Sequence, residues 1–269
     1  MVDVNEGKAR PRFDRVATEE PLEIRLRAGG ATLQLSVTMR TPGNDFELAA
    51  GFLHGEGIIG GYDDLRGISF CVDRDVDAEQ RYNIVNVDLA ASALPETNAV
   101  ERRFGTTSAC GVCGKASLEA LSLRGLAPVA SDTRVDAAIV AGLPARLLAA
   151  QGVFEKTGGL HAAGLFDACG DLVIVREDVG RHNAVDKVVG WALLQRALPL
   201  DGRILMVSGR TSYEIVQKAL VARVPIVCAV SAPSSLAVDL ARRFGITLVG
   251  FLRGAHFNVY AGEQRIALA

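Results

Sequence analysis

The second half of the chain alternates short, wholly apolar runs with amphipathic ones, and no other feature constrains the fold as strongly. RILMVSG (203–209) is followed by the helical run TSYEIVQKALVA, PIVCAVS (225–231) by SLAVDLARRFG, and ITLVGFL (246–252) closes the series. Strands that are apolar at every position are buried on both sides, so they belong in a sheet with helices on both faces. Upstream, AGLFDACGDLVIVRED predicts two strands around a turn, and a long amphipathic helix is expected from Arg181 to about Leu198. The expected class is α/β.

The first half has a different texture. In PLEIRLRAGGATLQLSVTM, Leu22, Ile24 and Leu26 precede Gly29-Gly30, and Leu33, Leu35 and Val37 follow it. That alternation predicts a β-hairpin with one buried face. Asn44 opens a predicted helix with Glu47 at capping-box spacing and an apolar stripe of Phe46, Leu48, Ala49, Phe52 and Leu53. GISFCV and YNIVNVDLA add two strands. The chain is therefore divided into a mobile N-terminal lead-in (1–20), a small α+β subdomain (21–105) and an α/β domain (106–269). The boundary falls just before a cysteine pair, and junctions of this kind commonly carry sites.

Composition narrows the function. Apolar residues make up 49% and charged residues 22%, which excludes a disordered or collagen-like chain. With 29 basic against 31 acidic residues the net charge is −2, so no global field favours nucleic acid, and an anionic ligand needs a local site. No apolar run reaches 18 residues, and MVDVNEGKARPRFDR lacks the apolar core of a signal peptide. A cytoplasmic protein without membrane partners is expected. Its five cysteines, Cys71, Cys110, Cys113, Cys169 and Cys228, are an odd number, which argues against a disulfide scaffold.

The strongest local signal is Ser108-Ala109-Cys110-Gly111-Val112-Cys113-Gly114-Lys115, before the helical run ASLEALS. Two thiols on one glycine-flanked loop, next to a helix N-terminus and Lys115, favour thiolate. A thiolate serves as nucleophile, metal ligand or sulfur carrier. A closed zinc site needs two more ligands. The remaining cysteines form no second pair and sit in apolar strand-like runs suited to burial, so no metal ligand set and no tightly bound zinc are expected. A thioredoxin-like motif should follow a strand of a βαβ unit, which GTTSA does not resemble. A nucleobase deaminase needs H-x-E and a proline before its cysteines; here His161 precedes Ala162-Ala163, and no proline precedes Cys110.

Further polar clusters close the predicted strands. Thr157–His161 and Arg176–Asn183 lie where open α/β sheets bind ligands, although a capped, salt-bridged helix start accounts equally well for each residue. Ser208-Gly209-Arg210-Thr211 places Thr211 and Glu214 at capping-box spacing, and free backbone N–H groups with Arg210 suit a phosphate. Phe251 to His256 combines an aromatic ring, a guanidinium and a glycine, as a stacked base and pyrophosphate require; a simple β-turn fits as well.

Together, TPGNDFELAAGFLHGEGII, SACGVCGK, TGGLHAAGLF, REDVGRHNAVDKVVGWALL, SGRTSYEIVQKAL, VSAPSSLAVDLARRFGITLVGF and NVY resemble the FdhD family, accessory sulfurtransferases of formate dehydrogenase maturation. The resemblance runs from about residue 20 to 265. It implies a cytidine-deaminase-like three-layer αβα sandwich with a smaller N-terminal α+β subdomain. It implies that a cysteine desulfurase delivers sulfur as a persulfide to Cys110, that Cys113 assists relay or release, and that formate dehydrogenase receives the product. The bound substrate would be molybdenum (or tungsten) bis(molybdopterin guanine dinucleotide), its guanine nucleotide moiety held by Phe251, Leu252, Arg253, Gly254, Ala255 and His256. A homodimer is also implied. The chemistry agrees, since sulfur exchange needs an accessible thiolate and a second thiol able to attack the persulfide. Two other readings stay open: a chaperone that holds the cofactor without sulfur transfer, and a dithiol oxidoreductase cycling a Cys110–Cys113 disulfide.

Overall fold

The computed structural model describes residues 1–73, 75–77, 80–95 and 125–268. The charged N-terminus, expected to be a mobile lead-in, contains a hairpin of β1 (Val2–Asn5) and β2 (Lys8–Pro11). Glu6 and Gly7, both at positive φ, make its two-residue turn. The next hairpin, β3 (Glu20–Ala28) and β4 (Ala31–Arg40), forms as its alternation predicts, with Gly29 and Gly30 at φ 57° and 82°.

One detail of β4 departs from expectation. Ile24 pairs with Ser36 but Arg25 with Gln34, so Leu35 is an extra residue in the strand. Such a bulge reverses which side chains face inward beyond it. Val37, expected to be buried, is 55% exposed, whereas Arg40 is 1% exposed. Helix α1 (Asp45–Glu56) follows, then β5 (Leu65–Phe70) and β6 (Ile84–Leu89), giving a four-stranded sheet in the order β4-β3-β6-β5. Leu48, Ala49 and Leu53 of α1 pack onto Leu22, Ile24, Leu26, Val85 and Val87.

From residue 125 the elements are β7 (Val135–Asp136), α2 (Ala137–Ala149), α3 (Phe154–Thr157), β8 (His161–Phe166), β9 (Leu172–Asp178), α4 (Arg181–Leu194), β10 (Ile204–Val207), α5 (Tyr213–Val221), β11 (Ile226–Ala229), α6 (Ser235–Phe244), β12 (Thr247–Arg253), β13 (His256–Ala261) and β14 (Ile266–Ala267). A six-stranded sheet runs β13-β12-β11-β10-β8-β9, with β10, β11 and β12 parallel. On one face, Val185, Val188, Ile215, Val216, Leu240 and Phe244 of α4, α5 and α6 cover Leu205, Val207, Val227 and Leu248. On the other, Val140, Leu143 and Leu147 of α2 cover Ile204, Met206, Ile226 and Val249. The apolar runs are thus buried on both sides, as their composition requires.

α4 stops at Leu194, short of the expected end, and is buried around most of its circumference. Its outer side is covered by α1. The two helices meet at Gly51 and Gly190, where a β-carbon on Gly190 would stand 1.8 Å from the Glu47 carbonyl oxygen. α4 therefore also contributes Leu193 and Leu194 to the core of the first sheet. The boundary expected near residue 105 lies outside the described residues.

Candidate functional site

Polar residues gather along the rim where β10, β11 and β12 end. β8 runs antiparallel to β10, so His161 at its start lies beside the end of β10. Ser208 fixes this junction: its backbone N–H donates to the Ala162 carbonyl (3.0 Å), and its Oγ accepts from the Ala162 N–H (2.9 Å). Gly209 follows. A β-carbon there would stand 3.3 Å from His161 Nδ1 and 3.8 Å from Arg181 Cδ, so the glycine lets the backbone pass close to both side chains.

Arg181 and His182 form the first turn of α4, whose N-cap is Gly180. His182 Nε2 lies 3.1 Å from Ser212 Oγ and 3.3 Å from the Glu214 carboxylate, while the Ser212 hydroxyl donates to Glu214 (2.7 Å). The hydrogen bond from His182, reinforced by that from Ser212, holds Glu214 down at about 2. Burial, with the charges of Arg181 and His182 adding to it, holds His161 below its usual range. The N-cap of α5 is Ser212, not the expected Thr211. Thr211 instead bridges to Pro233 and is 1% exposed, its hydroxyl without a hydrogen-bond partner among the described residues.

A buried web fixes the start of α4. Asp178, fully enclosed, pairs with Lys187 at 2.7 Å and accepts from the N–H of Gly180 (2.8 Å), the Asn183 amide (2.9 Å) and the N–H of Thr41 (3.2 Å). Glu47 was expected to cap α1, but Asn44 sits at φ 58° without a side-chain cap, and Glu47 reaches Arg176 in a two-point ion pair at 2.5 and 2.7 Å. A bidentate guanidinium partner outcompetes a local cap. Deeper in, Asp186 and Lys218 pair at 2.7 Å. Burial pushes Asp186 up to about 6; it would also lower Lys218, but the carboxylates of Asp186 and Glu56 overcome it and hold Lys218 above its usual value.

Sequence reasoning missed these partners, and also Arg40, which holds Asp45 through two nitrogens (3.1 and 3.2 Å) and Asn83 at 2.9 Å. A faint signal existed for Asp186 and Lys187, two charges inside the otherwise apolar run from Ala184 to Leu194.

The residues expected to hold the nucleotide form the β12–β13 hairpin. Arg253 pairs with His256 around Gly254-Ala255, and these four are exposed. Phe251 is half-buried at φ 52° and donates its N–H to Ser231 (3.2 Å). Leu252 is fully buried in the core beneath α2, so its side chain packs rather than faces a ligand.

Cys110 and Cys113 lie outside the described residues. Cys71 and Cys228 are buried as expected, and burial pushes Cys228 up to about 12, an inert thiol. Cys169 is exposed, because it occupies the β8–β9 turn rather than a strand. Among the described residues, no three His, Cys, Asp or Glu side chains are placed to share a metal, and no helix is long and apolar enough to cross a membrane.

Residues 17–267 match the model of the FdhD/NarQ family. The chain is 53% identical to the sulfur carrier protein FdhD of Streptomyces avermitilis, an alignment covering all of this chain and 94% of that one. It is 50% identical to the sulfur carrier protein FdhD of Mycobacterium tuberculosis, over 95% and 92% of the two chains. Its mixed α/β structure resembles the crystal structure of a protein from Desulfotalea psychrophila assigned as a formate dehydrogenase accessory protein, with a TM-score of 0.76, 28% identity, and 99% and 97% of the two chains covered. The chain belongs to the FdhD/NarQ family.

Proposed function

We propose that this protein is a sulfur carrier in formate dehydrogenase maturation. The observation that carries the reading is the near full-length identity to proteins named sulfur carriers, in a chain with paired thiols at Cys110 and Cys113. The Cys110 thiolate attacks the terminal sulfur of a desulfurase cysteine persulfide. A new S–S bond forms on Cys110, the desulfurase thiolate leaves, and no net oxidation occurs. In delivery, the Cys113 thiolate attacks the Cys110 sulfur and expels the terminal sulfur as hydrosulfide toward the substrate, the molybdenum or tungsten bis(guanylyl-pterin) cofactor. The two thiols supply two electrons, and a dithiol reductant reopens the resulting disulfide. The hairpin from Phe251 to His256 contacts the guanine nucleotide, and formate dehydrogenase receives the sulfurated cofactor. In this reading the C-terminal unit is a cytidine-deaminase-like sandwich, a type supported by helices on both faces of its sheet.

Intact-mass spectrometry after incubation with a cysteine desulfurase and cysteine tests the proposal. The wild type should gain about 32 Da per sulfur, removable by thiol, from the chemistry of persulfide formation. Cys110→Ala should gain none and should fail to activate formate dehydrogenase in a strain lacking the native protein. Full activation by that variant, or a wild type that never gains sulfur, would overturn the reading.

A further inference from the structure

The rim described above carries more positive charge than the described residues neutralise. Asp178 is committed to Lys187, and Glu214 to His182. Arg181 has no carboxylate within ion-pair distance among the described residues, and its Nε is buried without a hydrogen-bond partner among them. A buried guanidinium nitrogen left unpaired is costly, and the common remedy is an acceptor from elsewhere. Gly209 lets the backbone come close to both side chains: a β-carbon there would stand 3.3 Å from His161 Nδ1 and 3.8 Å from Arg181 Cδ.

The backbone adds to the case. α4 has a glycine N-cap with no side-chain cap, and its first turn holds no acidic residue, so its leading N–H groups and positive dipole end are not offset by a side chain of that turn. The exposed Arg210 follows Gly209 directly.

We propose that His161, Arg181 and His182, beside Gly209, form a phosphoryl-binding subsite at this rim. Arg181 supplies a guanidinium, the start of α4 supplies N–H donors, and the imidazole of His161 stands beside them. A dianion opposes the causes that hold His161 low, so occupancy raises its titration point. The rim continues from Gly209 through the Thr211–Pro233 bridge to Ser231, which accepts from Phe251. From β8 to β12 is three strand spacings, about 14 Å. The subsite and the hairpin are therefore separate contacts on one edge, suited to an elongated phosphorylated ligand. That the ligand is the nucleotide-bearing cofactor rests on the function proposed above; the anion subsite does not.

Calorimetric titration of the full-length protein with inorganic pyrophosphate and with GDP tests this, together with imidazole NMR. Pyrophosphate should bind the wild type and raise the titration point of His161. Arg181→Gln should weaken pyrophosphate at least tenfold. Gly209→Ala changes no charge but crowds His161 and Arg181, and should weaken it at least fivefold. Arg66→Gln, on the far sheet, should leave affinity within twofold. If the cofactor's phosphates are the source, Arg181→Gln should also weaken GDP; an effect on pyrophosphate alone would assign the subsite to free phosphate. No binding by the wild type, or equal weakening by Arg66→Gln and Arg181→Gln, overturns the subsite. Sulfur uptake at Cys110, read by mass, is an independent measurement, so a protein that gains sulfur without binding pyrophosphate loses only this proposal.

Discussion

Glu214 shows how a short motif misleads at the scale of single residues. Its spacing from Thr211 reads as a capping box, yet its carboxylate accepts from His182 and Ser212, and Thr211 turns inward. Glu47 behaves likewise, leaving its local cap for Arg176, 129 positions away. A cap is legible in sequence because it spans four residues, whereas its competitors come from elements that only the fold brings near. The consequence for Glu214 is measurable. Its folded titration point, about 2, lies below the ordinary 4.5, so the charged form is favoured by folding. The contribution is complete above about pH 4.5 and is lost as pH falls toward 2. Half-exposure and solvent screening keep it small. His182→Gln should return the Glu214 titration, followed by carboxyl carbon NMR, toward 4.5, and an unmoved midpoint would refute the assigned partner.

Among elements, those with one dominant period were the easiest to read. The β3–β4 hairpin, the β8–β9 pair and the parallel strands all lie where alternation or unbroken apolar runs put them. The bulge at Leu35 was not legible, because one inserted residue leaves the composition unchanged while reversing Val37 and Arg40. The Gly51–Gly190 crossing was equally hidden, since glycine in a helix normally signals only lost propensity. Here it signals contact: a β-carbon on Gly190 meets the backbone of α1, which has no flexible end to yield. Gly190→Ala should therefore destabilise by about 2–3 kcal/mol through overpacking, despite its better helix propensity. Gly142→Ala in α2, where a β-carbon meets nothing within 4 Å, should instead stabilise by up to about 1 kcal/mol. Urea midpoints compare them directly, and equal shifts would remove the crossing as the cause. The β12–β13 hairpin has a test of its own. Arg253→Ala should weaken GDP roughly ten- to hundredfold if its guanidinium holds a phosphate, since a hydrogen bond to a charged group contributes about 1.5–3 kcal/mol; unchanged calorimetric affinity would remove Arg253 from the nucleotide contacts.

For the whole molecule, the change of texture along the sequence marks two sheets, and both exist. It does not reveal that they share a helix layer, because α1 and α4 are about 130 residues apart and no local pattern in either names the other as its partner. In the fold, α1 is held between its own sheet and α4. Glu47 is tied to Arg176 of β9, while the loop at Thr41 is tied to both Asp178 and Lys187. Separating the halves would expose the glycine groove of α4, strand Arg176 and leave the Asp178–Lys187 web open to water. The Asp178–Lys187 pair is fully buried and the Glu47–Arg176 pair partly so, and breaking one buried ion pair by removing a partner costs about 3–5 kcal/mol, a large part of a typical folding stability. Neither sheet is then expected to persist once the other melts. Scanning calorimetry should show a single transition whose calorimetric and van't Hoff enthalpies agree. Arg176→Ala should lower that transition by roughly 2–12 °C, from about 1–3 kcal/mol for a partly buried charged partner and about 2–4 °C per kcal/mol for a chain near this size, without splitting it. Two resolved transitions in either protein would mean that the sheets fold independently and that the α1–α4 contact is a docking surface rather than a shared core.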